Sequence, residues 1–249
     1  MMKKTIQLLV ISLVALLPKH LLAETFTAHC RNYPPELFFD GSKCAGVLPD
    51  LVSDIFTELG HDINWAYVPW VRSIREAKKG NVDVMIRHSM TPESKSVLKH
   101  ITYGYTIRHL SFYKSPRFRG DITSYDDLEK VNIGAIRGVF YSPRFSVLNT
   151  RTLTLVGKTD QLVAMLELGR IDVVVTSASH NEELFDTRFE KATFVDTFLN
   201  PVYISIPLNS SAIGIYDDVA QRMLEYRKSG KVDTYFEKYG VPAPQQIFE

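Results

Sequence analysis

Arginines, aromatic residues and hydroxyls gather at a few short stretches of the 249-residue chain. Arg87, His88, Ser89 and Thr91 lie together in RHSMTPES, Arg137 and Gly138 open RGVFYS, and Thr176 and Ser177 close LGRIDVVVTS. A guanidinium is a planar fork suited to a carboxylate, so Arg87 and Arg137 are candidate anion anchors, with His88 a second source of positive charge beside Arg87. The backbone amides of the turn at Gly138 could hold an anion. Thr176 and Ser177 offer hydrogen bonds without charge. Tyr33, in YPPELFFDG, and Trp70, in PWVR, could sandwich an apolar or cationic group between their rings. An exposed strand end, an ordinary turn and a core tryptophan are the plain alternatives.

Catalysis has less to draw on. Glu36, His88 and Glu93 are the titratable groups that could form an acid–base pair. The chain carries no HExxH, GxSxG, P-loop or glycine-rich dinucleotide fingerprint. His29, His61, His100 and His180 are scattered without metal-ligand spacing. No catalytic residue, metal or cofactor is therefore expected. Cys30 and Cys44 are the only cysteines. Paired, they would close a short loop worth on the order of 3 kcal/mol; two buried thiols are the alternative.

The elements that must position these residues follow from periodicity. Phe26 to Cys30, Asn64 to Val68 and Val82 to Ile86 read as strands, with helices over Pro49 to Leu59 and Val71 to Lys79 between them. The pattern restarts with a strand at Ile107 to Tyr113, a short helix in SYDDLEK, and a strand at Asn132 to Ile136. A helix capped by Thr159 follows, then a continuous aliphatic strand, Ile171 to Val175. Val202 to Ile206 reads as a strand, and helices are expected over Asp217 to Lys228 and Val232 to Tyr239. Strands alternating with helices, twice over, imply two α/β units with mostly parallel sheets. Three joints, KGNVD, LGRID and SGKVD, share a glycine and an aspartate. The glycine suits a left-handed helix C-cap; the aspartate opens the next strand, or caps the terminal helix in the third copy, so Asp83, Asp172 and Asp233 read as structural.

The N-terminus has the order of a secretory leader: two lysines, an apolar run from Leu8 to Leu17 broken only by Ser12, then Ala23. The run is shorter than the ~18–20 residues that span a bilayer; a retained anchor is the alternative to cleavage after Ala23. Cleavage removes Lys3, Lys4 and Lys19 from the 29 basic residues, leaving 26 against 28 acidic, a net charge of about −2. Such a balance lacks the basic face a nucleic-acid partner requires. The product is expected to be exported, with its cysteines in an oxidising compartment.

In order, YPPELFF, GVLPDLVSDIFTELG, PWVRSIREAKKGNVDVMI, MTPES, YDDLEKVNIGAIRG, LVAMLELGRIDVVV and RKSGKVDTYFEKYG resemble the family 3 extracellular solute-binding proteins, the amino-acid-type periplasmic receptors. The resemblance covers essentially all of 24–248. It implies a two-lobe periplasmic-binding-protein fold (type II) joined by two crossover strands and closing by a hinge. Lobe one would be 24–109 plus 204–249 and lobe two 110–203, with crossings near Leu110 to Tyr113 and Val202 to Ile206. The implied partners are a small-molecule ligand and an ABC-transporter permease or a membrane sensor protein, the chain acting as a monomer; a dehydratase-type enzyme is a further alternative. The family's Thr-x-x-Arg clamp ends here in Ser94, leaving Arg87, Lys95, Arg72 or Arg137 as replacements. The family's amine-binding aspartate corresponds to Ser177. An ordinary α-amino acid is therefore not expected, and an organic anion or another small metabolite is favoured over it.

Overall fold

The computed structural model describes residues 23–148 and 152–248. The expected leader, except Ala23, lies outside the described residues, as does the side chain of Glu93. In chain order the elements begin with β1 (Thr25–Cys30), a hairpin of β2 (Phe38–Phe39) and β3 (Cys44–Ala45), α1 (Val47–Glu58), β4 (Asp62–Tyr67), α2 (Trp70–Lys79), β5 (Val84–His88), α3 (Pro92–Lys95) and β6 (Leu98–Lys114). The chain continues through α4 (Tyr125–Leu128), β7 (Asn132–Ile136), α5 (Pro143–Ser146), β8 (Thr152–Val156), α6 (Thr159–Glu167), β9 (Val173–Thr176), α7 (Glu182–Asp186), β10 (Glu190–Pro207), α8 (Tyr216–Lys228) and α9 (Lys231–Lys238).

The strand order is β4-β1-β5-β10-β6-β9-β7-β8. It contains one device used twice. β1 lies between its parallel partners β4 and β5, and β7 lies between β8 and β9 in the same way. Helical crossovers connect each set, as parallel neighbours require. Between the sets run β6 and β10, antiparallel to each other along almost their whole lengths. They join the two parallel sets into one hydrogen-bonded sheet. Both strands are much longer than the short apolar runs suggested. The first half of β10 alternates in exposure on a two-sided ribbon, and its continuous burial begins only near Val202. A half-exposed ribbon leaves no unbroken aliphatic signature in the sequence.

Each half has its own core. α1 turns Val47, Leu48, Leu51, Val52, Ile55 and Phe56 inward at helical spacing, and they meet Phe26 and Ala28 of β1 and Met223, Val232 and Phe236 of the C-terminal helices. The second half packs Leu110, Phe112, Ile133, Ala135 and Val173 on one side of its strands and Leu162, Leu166, Ile171, Val174 and Phe185 on the other. α1 starts two residues before Pro49 because proline is tolerated in a first helical turn, where its missing N–H has no partner to lose.

The repeated joint has a common geometry. Gly80, Gly169 and Gly230 all adopt positive φ, from 65° to 77°, which ends the preceding helix. Asp83 then accepts at 2.8 Å from both the backbone N–H and the hydroxyl of Thr27, and at 2.6 Å from Ser210. Asp172 accepts at 2.7 Å from the N–H of Asn132. Each aspartate thus braces the first residues of the neighbouring parallel strand, a structural task. The third copy differs from expectation: Gly230 occupies the cap position of α9, and Asp233 lies inside its first turn. Thr159 is likewise the first helical residue of α6, not its cap. Gln161 reaches back to accept from the N–H groups of Gly157 and Lys158, while the Thr159 hydroxyl accepts from Asn181. β8 and the short helices α3 and α7 were not legible, whereas the turn ending at Ser142 does lead into a helix, α5. Cys30 and Cys44 form a disulfide.

Candidate functional site

Open α/β sheets bind ligands beyond the carboxyl ends of their strands. A cavity of about 440 Å³ lies there, between the two parallel sets. The segment after β1 contributes Arg31 and Tyr33, the start of α2 contributes Trp70, and the end of β5 contributes Arg87, His88, Ser89 and Thr91. From the other side come Gly138, Val139 and Phe140 after β7 and His180 after β9. Thr106, Ile107, Arg108 and Asn200 of the crossover strands complete the wall. Among the described residues no Asp or Glu lines the cavity.

A β-bulge aims the first group. The register against β10 slips between Tyr203 and Ile204, which pair with His88 and Ile86 and leave Arg87 over. Arg87 sits at φ 56°, a left-handed conformation uncommon outside glycine. Its Nε and Nη2 donate to the two carboxylate oxygens of Glu36, both at 3.1 Å, and its guanidinium lies 3.6 Å over the Tyr33 ring. The fork expected to bind a ligand is thus occupied by the chain's own carboxylate. Burial disfavours the charge, but the Tyr103, Glu36 and Tyr33 neighbours outweigh it and raise the Arg87 pKa.

His88 corrects a second expectation. It is buried, with Nε2 2.9 Å from the Ser205 hydroxyl and its ring stacked on Trp70 at 5.3 Å. Burial, with smaller effects from His100 and Arg31, pushes its pKa down to about 3. The imidazole is neutral near pH 7 and brings no positive charge. Arg31 supplies that charge instead. Its Nη1 donates to the Ile86 carbonyl at 3.0 Å and its Nη2 to the Arg87 carbonyl, while the guanidinium rests 4.9 Å from the Trp70 ring. Tyr33 and Trp70 therefore each stack against an internal arginine. Trp70 is half-buried at the cavity wall and packs beside, not inside, the apolar cluster of α2.

Ser94 closes the first turn of α3: Thr91 and Ser94 exchange backbone–side-chain hydrogen bonds of 2.8 and 3.0 Å in a capping box. Its place in the expected clamp is taken by a buried structural bond. Lys95 and Arg72 are exposed and do not line the cavity.

Arg137 is also outside it. The side chain is exposed and donates to the Leu155 carbonyl of the edge strand at 3.2 Å. Gly138 does reach the cavity, at φ 77° in the turn after β7. Thr176 and Ser177 are buried behind the wall. Thr176 donates to the His180 carbonyl at 2.7 Å, and the Ser177 hydroxyl lies 2.8 Å from His180 Nδ1. Together they hold the imidazole that lines the cavity. Burial, reinforced by Arg108, lowers the His180 pKa to about 4.

Arg31, Arg108, Asn200 and His180 were not singled out as ligand contacts from the sequence. Arg31 follows the first strand directly, two residues before Tyr33, so it stands at the strand end where ligand contacts are expected. His180 stands next to such an end but was read among the scattered histidines. Thr106, Arg108 and Asn200 carry no local signal; they meet only because β6 and β10 pair.

Known folds match this arrangement. A histidine kinase sensor domain with similarity to periplasmic binding proteins superposes with TM-score 0.61 at 18% identity, covering 90% of this chain and 98% of that one. An arginine-transport periplasmic binding protein from Legionella pneumophila gives 0.58 at 14% identity, covering 87% and 100%. An ancestral amino-acid-binding protein, a precursor of cyclohexadienyl dehydratase, gives 0.57 at 18% identity, covering 87% and 95%. The chain has the periplasmic-binding-protein fold. No family model matches the sequence, and no curated protein does. In this periplasmic-binding-protein fold the cavity lies between the two parallel sets, and no described helix is long and apolar enough to cross a membrane.

Proposed function

We propose that this protein is an exported solute receptor that binds a small organic anion between lobes formed by 24–109 plus 204–249 and by 110–203. The observation that carries this reading is the charge of the cavity. Arg31, Arg87 and Arg108 line it, no Asp or Glu among the described residues does, and Glu36, outside the lining, makes its ion pair with Arg87. An anion gains from that field in a partly desolvated cleft, and a cation is repelled. An α-amino acid fits less well because its amine finds no carboxylate among the described residues of the wall. The lining residues Tyr33, Trp70, Ser89, Thr91 and Gly138 supply packing and hydrogen bonding around it.

Cleavage of the leader after Ala23 would place the receptor in the periplasm, where the disulfide persists. Its output is delivery to the permease of an ABC transporter. Signalling through a membrane sensor is a second reading, favoured by the likeness to a kinase sensor domain. Turnover is disfavoured because Glu36 is engaged by Arg87 and His88 is buried and neutral.

A thermal-shift screen of the purified protein with carboxylates, amino acids, polyamines and sugars tests the reading. An organic anion at 100 times its Kd is expected to add about 2.7 kcal/mol of stability. Stabilisation by polyamines or sugars alone would refute anion binding.

A further inference from the structure

Taking the cavity as an anion site, its charge balance says how many charges the ligand carries. We propose that it takes a small organic dianion, with one charged group at Arg31 and the other at Arg108, in preference to a monoanion or a zwitterion.

Three guanidiniums line the cavity, and one of them is already answered. Arg87 is gripped by both oxygens of Glu36, leaving Arg31 and Arg108 without an ion pair among the described residues. Arg31 is fixed by the two carbonyls of Ile86 and Arg87 and by the face of Trp70. Those carbonyls carry partial charge only, and a guanidinium has five N–H donors, so donors remain for a ligand. Arg108 has a ring contact with Phe198 at 5.9 Å. The burial that surrounds both, together with the nearby charge of Arg87, lowers their pKa, to about 10 for Arg31. His180 adds no charge, being neutral and held by Ser177.

A buried uncompensated charge is costly. A monoanion neutralises one of the two cations and leaves the other. A zwitterion adds an ammonium for which the wall holds no carboxylate among the described residues. A ligand with two negative groups leaves neither cation alone. Trp70, Ile107, Val139 and Phe140 line the space for the hydrocarbon between the groups. The volume of about 440 Å³ sits at the small end of ligand cavities.

Calorimetry on the purified protein at pH 7.5 or so tests this with succinate and glutarate as dianions, butyrate as monoanion and glutamate as zwitterion. The expected result is at least tenfold tighter binding of one dianion than of butyrate. Arg31→Gln and Arg108→Gln should each reduce that preference below about threefold, and Arg31→Lys, which keeps the charge, should restore part of it. Circular dichroism checks that each variant is folded. Equal binding of dianion and butyrate, tighter binding of glutamate, or a preference unchanged in folded Arg31→Gln and Arg108→Gln overturns the dianion inference while anion binding stands. Binding of none of these anions overturns both.

Discussion

Arg87 holds both carboxylate oxygens of Glu36 at 3.1 Å, across 51 residues of sequence, at the rim of the cavity. The pair removes one arginine from the ligand's reach and ties the loop after β1 to the end of β5. Glu36→Gln should cost about 1–3 kcal/mol in urea unfolding, because it leaves a largely buried guanidinium unanswered. The same substitution should tighten anion binding, since the cavity gains a full positive charge. Adding Arg87→Gln should recover part of the stability and remove the gain in affinity. A Glu36→Gln protein with weaker anion binding would contradict this account.

Acid should destabilise the protein before its carboxylates titrate. Burial lowers the pKa of His29, His88, His100 and His180, to about 3 for His88 and about 4 for His180. The folded state keeps these rings neutral while the unfolded chain protonates them below its ordinary value near 6.5. The stability is fully present above that value. It falls as pH drops from about 6.5 toward the folded values, by up to about 1.4 kcal/mol per pH unit for each ring. His88→Gln should flatten the stability profile between about pH 6.5 and 5 by roughly one ring's share; an unchanged slope would show that His88 is not held neutral.

The disulfide closes a loop that contains Arg31, Tyr33 and Glu36. Reduction, or Cys30→Ser with Cys44→Ser, should lower stability by about 3 kcal/mol in denaturant titration. Anion affinity should fall with it, because the loop that aims Arg31 becomes less ordered. Loss of stability with unchanged affinity would show that the strand alone positions Arg31.

Asp83→Ala should cost about 1–3 kcal/mol, since it strips acceptors from Thr27 and Ser210. Ligand affinity in the folded variant should be unchanged within about twofold. A large loss of affinity would assign Asp83 more than its bracing task.

Trp70→Ala should weaken ligand binding by about 1–3 kcal/mol. Its ring lines the cavity, stacks on His88 and backs the Arg31 guanidinium. Unchanged affinity by calorimetry in a folded variant would remove it from the site.

Most of the framework was legible because it is written in local pattern. The inward stripe of α1 repeats at helical spacing, Val173 to Val175 form a buried aliphatic run, and the first two joints pair a positive-φ glycine with an aspartate bracing the neighbouring parallel strand. Thr152–Val156 escaped notice as a short edge strand. The long crossover strands were half visible because their outer ribbon is exposed on alternate residues.

The sequence by itself determined the two α/β units and the strand ends from which side chains would meet, and left the bonding of Cys30 and Cys44 to the structure. Tertiary structure decided which of those side chains remain available to a ligand. Arg87 has the right chemistry but is engaged by Glu36. His88 has the right place but is neutralised by burial, and Thr176 and Ser177 stand behind His180. Arg31 and Arg108 are left without an ion pair among the described residues. A residue's charge state and partners depend on groups brought near through space, and strand pairing and burial, not spacing along the chain, set those neighbours.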